Sequence, residues 1–217
     1  VDAVITDPPY GSGGDTVASR LQSSKAKYVS SGASYQSTLP DIDGDAIHPE
    51  DWTAMIRDWA VQCRRVLSDG GVFAAFIDWR NGPVMMRQIM ASGIRVRGMV
   101  VWDKGNGRPY RGGFSMQAEY VIWGGVGKLP RQDVYIPGVL RHPSKTNGKR
   151  HITEKPVGLM RDLVRFARPG GLVLDPFAGS SSTGEAALLE GYRYHGMESA
   201  PGYFDISRER LEGLSHE

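Results

Sequence analysis

A run of six apolar residues, Val72–Ile77, stands between the turn Asp69-Gly70-Gly71 and Asp78. It has the length of a strand and no polar position to face water, so it requires cover on both faces. The opening Val1-Asp2-Ala3-Val4-Ile5-Thr6 and residues 172–174 have the same character, and 96–102, 119–123 and 192–197 read as further strands. Helical stripes alternate with them. Residues 51–68 place Trp52, Met55, Ile56, Trp59, Val66 and Leu67 at three-to-four spacing, and 155–168 do the same with Leu159, Met160, Leu163 and Val164. Shorter helices are predicted at 85–91, from Thr183 and from Pro201. Such alternation predicts a mostly parallel sheet with helices on both sides, a three-layer α/β domain.

The composition agrees with this. Over 217 residues, 40% are apolar and 23% charged, which excludes a disordered or collagen-like chain and gives one domain enough material for a core. No apolar run approaches the roughly 20 residues that cross a bilayer, so no membrane partner is expected. The chain starts on a strand without methionine, as a trimmed piece would, and shows no leader. A single cysteine, Cys63, permits neither an internal disulfide nor a thiolate zinc site, and points to a reducing cytoplasm. The five histidines have no ligand spacing, so no metal is expected.

Charge is unevenly spread. Residues 104–151 hold nine basic side chains against Glu119 and Asp133, a balance of +7, while the whole chain carries +2. That asymmetry fits a polyanion such as DNA meeting one face. The expected contacts are Lys104, Arg108, Arg111, Arg141, Lys145, Lys149 and Arg150. Residues 128–150 carry Pro130, Pro137 and Pro143 and read as a small recognition insert or a loop. Residues 12–37 include eight serines and read as a loop or lid.

Two strands end in Asp-Pro, and open α/β sheets bind ligands at the carboxyl ends of strands. After the first strand, Asp7-Pro8-Pro9-Tyr10 sets a carboxylate, a rigid turn and an aromatic plane together. Asp7 and the Pro8 carbonyl are suited to accept the two hydrogens of a planar amine, with Tyr10 stacked on its ring. After the later strand, Asp175-Pro176-Phe177-Ala178-Gly179 leads through Ser180, Ser181, Ser182 and Thr183 into a helix start that favours an anionic group. Those hydroxyls either meet ligand or cap the helix. Glu198 lies 19 residues beyond Gly179, where an acid reaches a ribose diol, so an adenosine-type cofactor is expected; the G-x-G-x-x-G of nicotinamide enzymes is absent.

These segments resemble a known family. Asp-Pro-Pro-Tyr is similar to the catalytic motif of S-adenosylmethionine-dependent DNA amino-methyltransferases, and Asp-Pro-Phe-Ala-Gly to their cofactor motif. The order, catalytic motif first, resembles the beta group of the adenine-N6/cytosine-N4 enzymes. So do Val101-Trp102-Asp103-Lys104-Gly105, Glu119-Tyr120-Val121-Ile122-Trp123 and His151-Ile152-Thr153-Glu154-Lys155-Pro156. The cofactor loop departs from that pattern, with Ser181 where the family more often has glycine.

The resemblance implies a Rossmann-like methyltransferase domain with circularly permuted motif order and one antiparallel strand. It divides the chain into a catalytic half (1–123), the insert (124–150) and a cofactor half (151–217). It further implies S-adenosylmethionine as cofactor, held by Asp175, Phe177, Gly179, Ser180, Ser182, Thr183 and Glu198, with Lys155, on the first turn of its helix, meeting the methionine carboxylate. Catalysis falls to Asp7, Pro8, Pro9 and Tyr10, acting on an adenine flipped out of DNA. Adenine is favoured because cytosine-N4 members more often carry serine in place of Asp7. Cytosine-N4 methylation and an idle DNA-binding subunit are the alternatives, and a nicotinamide oxidoreductase a remoter one. The short insert fits a relaxed target or a homodimer sharing recognition. A restriction partner and a nucleoid-associated bacterial or phage setting complete the expectation.

Overall fold

A computed structural model describes residues 1–11, 47–108, 111–129, 134–144, 150 and 153–214. The predicted loop or lid at 12–37 and the side chain of Arg108 lie outside the described residues, as do Lys145 and Lys149. Seven strands form one sheet: β1 (Ala3–Thr6), β2 (Val72–Ile77), β3 (Arg95–Arg108), β4 (Met116–Gly125), β5 (Val139–Arg141), β6 (Leu172–Asp175) and β7 (Arg193–Gly196). The described helices are α1 (Pro49–Val66), α2 (Gly82–Ala91), α3 (Val157–Val164), α4 (Ser182–Leu189) and α5 (Pro201–Gly213).

The strand order is β5-β3-β4-β2-β1-β6-β7. β4 alone runs against its neighbours; the other pairings are parallel, so the expected mostly parallel sheet with one antiparallel strand is what forms. β1 is the hinge of the topology. From it the chain winds through α1 to β2 on one side, while β6 leads through α4 to β7 on the other. Strand order therefore reverses between β1 and β6, the place where such sheets open a ligand crevice. Both Asp-Pro segments leave the sheet there.

The period-two alternation of the strands sorts the core into two layers. Ala3, Ile5, Val72, Ala74 and Phe76 face α3 and α4, packing with Leu159, Leu163, Ala186 and Ala187. Val4, Phe73, Ala75 and Ile77 face α1 and α2, packing with Trp52, Ile56, Met85 and Ile89. In α1, Pro49 at the first turn, acidic Glu50 and Asp51 near the start and Arg64 and Arg65 near the end all favour the helix where it forms.

Three expectations are corrected. The polar segment 103–117 is partly strand: β3 and β4 continue as a hairpin beyond the sheet, pairing Arg108 with Met116 across a register shift. The basic segment contributes a short edge strand, β5, paired with β3 at Asp103–Arg141. The helix predicted from Lys155 begins only at Val157. Pro156 is extended (φ −60°, ψ 133°), and a proline disfavours helical backbone in the residue before it. Among the described residues no helix is long and apolar enough to cross a membrane.

Phe73 is fully buried, with its ring 5.6 Å from that of Trp59. Its replacement by alanine should cost about 3–5 kcal/mol, read as a fall in the urea midpoint with unchanged slope.

Candidate active site

One cleft of about 980 Å³ opens at the strand ends, lined by Asp7–Tyr10 from one side and by Asp175–Gly179 and Glu198 from the other. The loop after β1 is fixed from beneath. Trp52 on α1 donates its indole N–H to the Pro9 carbonyl at 2.7 Å, and the Asn81 amide donates to the Tyr10 carbonyl at 2.7 Å. Gly11 closes the turn with φ +58°, and a Cβ there would lie 2.5 Å from the Trp52 ring. Only glycine satisfies both demands.

A charged cluster stands behind this loop. Lys155 places its ammonium 2.5 Å from Asp7 Oδ2 and 3.4 Å from Glu119 Oε2, while Lys104 reaches Glu119 Oε1 at 3.2 Å. The Tyr10 hydroxyl donates to Glu119 Oε2 at 3.0 Å. The Lys155 ammonium also lies 5.1 to 5.8 Å from the ring centres of Phe76, Tyr10 and Trp102. Burial opposes its charge, but Asp7 and Glu119 outweigh burial and lift its pKa, so the ammonium stays protonated. Glu119 is pushed up by burial but brought below its ordinary value by Lys155 and Lys104. Burial raises Asp7, Lys155 pulls it back and Glu119 adds to the rise. Burial, with Asp7 and Glu119 beside it, keeps the Tyr10 phenol neutral. The second Asp7 oxygen, Oδ1, is buried and meets the geometry of a hydrogen bond with no partner among the described residues. An acceptor left so is costly, by about 1–3 kcal/mol or more when charged.

The sequence reading placed Lys155 on the cofactor and Lys104 on DNA. The structure places both ammonium groups in the Asp7–Glu119 cluster on the cleft wall, with Lys155 preceding its helix.

The cofactor loop is knit from within. Asp175 is buried and accepts from the Thr6 hydroxyl (2.5 Å), the Thr183 hydroxyl (2.6 Å) and the Phe177 N–H (3.1 Å). These bonds bind the two strand-end loops to each other. Phe177 packs its ring 5.9 Å from Trp59. Ser181 has φ +55°, where the family more often has glycine, the residue that reaches this region without strain. Its hydroxyl is held between Ser207 and the Tyr194 hydroxyl. Arg210 on α5, buried, donates to the Ser180 carbonyl at 2.8 Å and to the Ser180 and Ser182 hydroxyls, and pairs with Glu154 and Glu185. Ser180, Ser182 and Thr183 line the cleft, yet their hydroxyls have protein partners, and α4 has no side-chain cap. Glu198 accepts the Gly179 N–H at 2.8 Å on one oxygen and the Ala200 N–H at 2.9 Å on the other. Each oxygen keeps a lone pair for a further donor, as two hydroxyls of a ribose would be.

The contacts of Arg210, Glu154 and Trp52 escape a reading of the sequence alone, since each joins distant segments. Glu119 carried a signal in its strand-borne Glu-Tyr-Val-Ile-Trp segment. Cys63 is buried on α1 and burial pushes its thiol up to about 12, so it packs as an apolar group.

Comparison with known proteins agrees with this geometry. The family described as DNA methylase, of N6/N4 type, matches residues 1–130 and 126–209. The chain belongs to the N6/N4 DNA methylase family. YubD of Escherichia coli (strain K12), named as a methylase, is 29% identical over 216 residues, covering 99% of this chain and 83% of that protein. The Type II methyltransferase M2.MboI of Moraxella bovis is 24% identical over 99% of this chain and 82% of its own. Among solved structures, the complex of M1.HpyAVI with SAM superposes with TM-score 0.70 at 21% identity, over 97% of this chain and 88% of that one. The cytosine-N4-specific PvuII DNA methyltransferase gives TM-score 0.70 at 18% identity, over 100% and 83%.

In this methylase the other described cations expected on DNA, Arg111, Arg141 and Arg150, are not among the residues that line the cleft. Arg111 is exposed, Arg141 is exposed 3.6 Å from Asp103, and Arg150 lies 4.0 Å from Glu185.

Burial raises the Asp175 carboxyl from 3.8 to about 6. The folded protein therefore holds this proton more tightly than the unfolded chain, so the group's contribution to stability falls as pH rises from about 4 through about 6. Asp175→Asn removes that slope and keeps acceptor and donor for Thr6 and Thr183. The variant should gain thermal stability relative to the parent across this window, with a constant difference above it. A difference in Tm that does not change with pH would contradict the assignment.

Proposed function

We propose that the chain methylates the exocyclic N6 amine of an adenine extruded from DNA, with S-adenosylmethionine as donor. The observation that carries this is the Asp7 carboxylate, which lines the cleft with Lys155 on one oxygen and no donor among the described residues on the other. A half-turn about its Cβ–Cγ bond exchanges the two oxygens, so that one faces an incoming N–H while Lys155 holds the other. An amine on a planar ring satisfies it, and Pro8 offers a second acceptor from the same rigid turn.

S-adenosylmethionine supplies an electrophilic methyl group when bound. The residues present fit it: Glu198 has lone pairs for a ribose, and the left-handed backbone of Gly179 leaves the loop surface bare beside it. M1.HpyAVI, of similar fold, was solved with that cofactor. The pocket is at the upper end of single-ligand size, which suits two ligands meeting end to end.

The chain's own work is positioning. The amine lone pair is delocalised into the base, and two acceptors that draw its hydrogens from the ring plane return that pair to nitrogen. Tyr10, neutral and fixed by Glu119, replaces the stacking lost on flipping. Alignment supplies effective molarities of about 10⁵ M or more. The alkylated nitrogen then gives its proton to Asp7, whose raised pKa suits that task and whose new neutrality Lys155 and Glu119 accommodate.

Aspartate in place of the serine more common among cytosine-N4 members supports adenine over cytosine, since the fold itself is shared with the cytosine-N4-specific PvuII enzyme. A companion restriction endonuclease and a cytoplasmic setting belong to the same reading, M2.MboI being named a Type II methyltransferase. Methylation of a random-sequence duplex pool, followed by sequencing that reports modified bases, should yield N6-methyladenine; N4-methylcytosine would overturn the choice of base. Asp7→Ala should abolish transfer with calorimetric affinity for S-adenosylmethionine nearly unchanged, because Lys155 keeps Glu119 as partner. Retained turnover would remove the role given to Asp7.

A further inference from the structure

The β3–β4 hairpin leaves the cleft wall and ends on an exposed aromatic ring. Lys104, Met116, Ala118 and Glu119, all on its strands, line the cleft. Two residues beyond Met116, at the tip Arg111–Ser115, Phe114 is 98% exposed. Two residues of chain span at most about 7 Å, so the Phe114 backbone lies within that distance of Met116 in the cleft wall. Phe114 belongs to neither core cluster of the described residues. Its neighbours Gly112, Gly113 and Ser115 are small, and Gly112 turns the backbone at φ +81°, where a Cβ would meet nothing within 4 Å. The described part of the tip, Arg111–Ser115, thus carries one flat apolar side chain, Phe114, beside Gly112, Gly113 and Ser115. Arg111 is exposed on the same tip, and Arg141, exposed on β5, lies at the same end of the neighbouring strand. Tyr135 is as bare but belongs to the segment before β5, not to the cleft wall.

We propose that Phe114 is the wedge that enters the duplex beside the target and fills the stack vacated by the extruded base. This rests on the methyl-transfer reading above and extends it to how a paired base is obtained. Flipping breaks stacking on both sides of the target, and apolar side chains inserted between base steps are a general means of holding the gap open. Flanking cations hold the phosphates while the ring enters.

The test compares wild type, Phe114→Ala and Phe114→Trp on three forms of one oligonucleotide carrying the target base: fully paired, paired with an abasic site opposite the target, and single-stranded. The abasic and single-stranded forms need no wedge. Phe114→Ala should lower kcat/KM by about tenfold to a hundredfold on the paired duplex, the worth of one base–aromatic stack. It should leave the other two unchanged, and Phe114→Trp should restore the paired rate. Equal loss on all three forms, or no loss on the paired one, would overturn the wedge. A wild-type protein inert on every form would overturn methyl transfer itself, which the single-stranded arm reads separately. Because the ring is exposed, the alanine variant should fold as the parent does, checked by its affinity for S-adenosylmethionine.

Discussion

A single buried ammonium organises the corner behind the Asp-Pro-Pro-Tyr loop. Lys155 bridges Asp7 and Glu119 beneath three aromatic rings, and through Glu119 it also fixes the hydroxyl of Tyr10. Two carboxylates this close would repel each other without it, and stranding a buried charge by removing its partner costs about 3–5 kcal/mol. Among the described residues the arrangement leaves Asp7 short of one donor. That shortfall is what the substrate amine would fill, so the same interaction that stabilises the corner defines what it lacks.

The cofactor side relies on hydrogen bonds that run inward. Asp175 joins β1, β6 and α4 through Thr6, Phe177 and Thr183, which keeps the two strand-end loops at one rim. Arg210 clamps the serine loop to Glu154, the residue before Lys155. The serine loop and the Asp7–Glu119 corner are thus mechanically linked through Glu154-Lys155. Ser181 bears the local strain of a left-handed backbone, offset by the hydroxyl contacts that a glycine there would lack.

Most of the fold was legible because its determinants are local. Unbroken apolar runs such as Val72–Ile77 announce strands covered on both faces, and Trp52, Ile56 and Trp59 of the predicted stripe are buried on α1. The site was legible as motifs, and both Asp-Pro segments do share one cleft. What the sequence hid was pairing at long range. Nothing near Lys155 in the chain shows that its partner is 148 residues away, nor that Pro156 delays the helix and leaves Lys155 outside it. The hairpin extension was missed for a different reason: Asp103 to Gln117 is rich in glycine and charge, which masks a two-stranded arm that has no core to bury.

The central claim is that the Asp7 carboxylate, held by Lys155 on one side, accepts the target amine on the other. It is tested most directly by a crystal structure with an unreactive S-adenosylmethionine analogue, its sulfonium replaced by an amine, and an oligonucleotide bearing the target base. The account predicts the base against Tyr10, its exocyclic nitrogen about 3 Å from the Asp7 oxygen that Lys155 does not hold, and the analogue reaching it from the Glu198 side. A base lodged outside the cleft, or an Asp7 still without a donor while both ligands are bound, would contradict it.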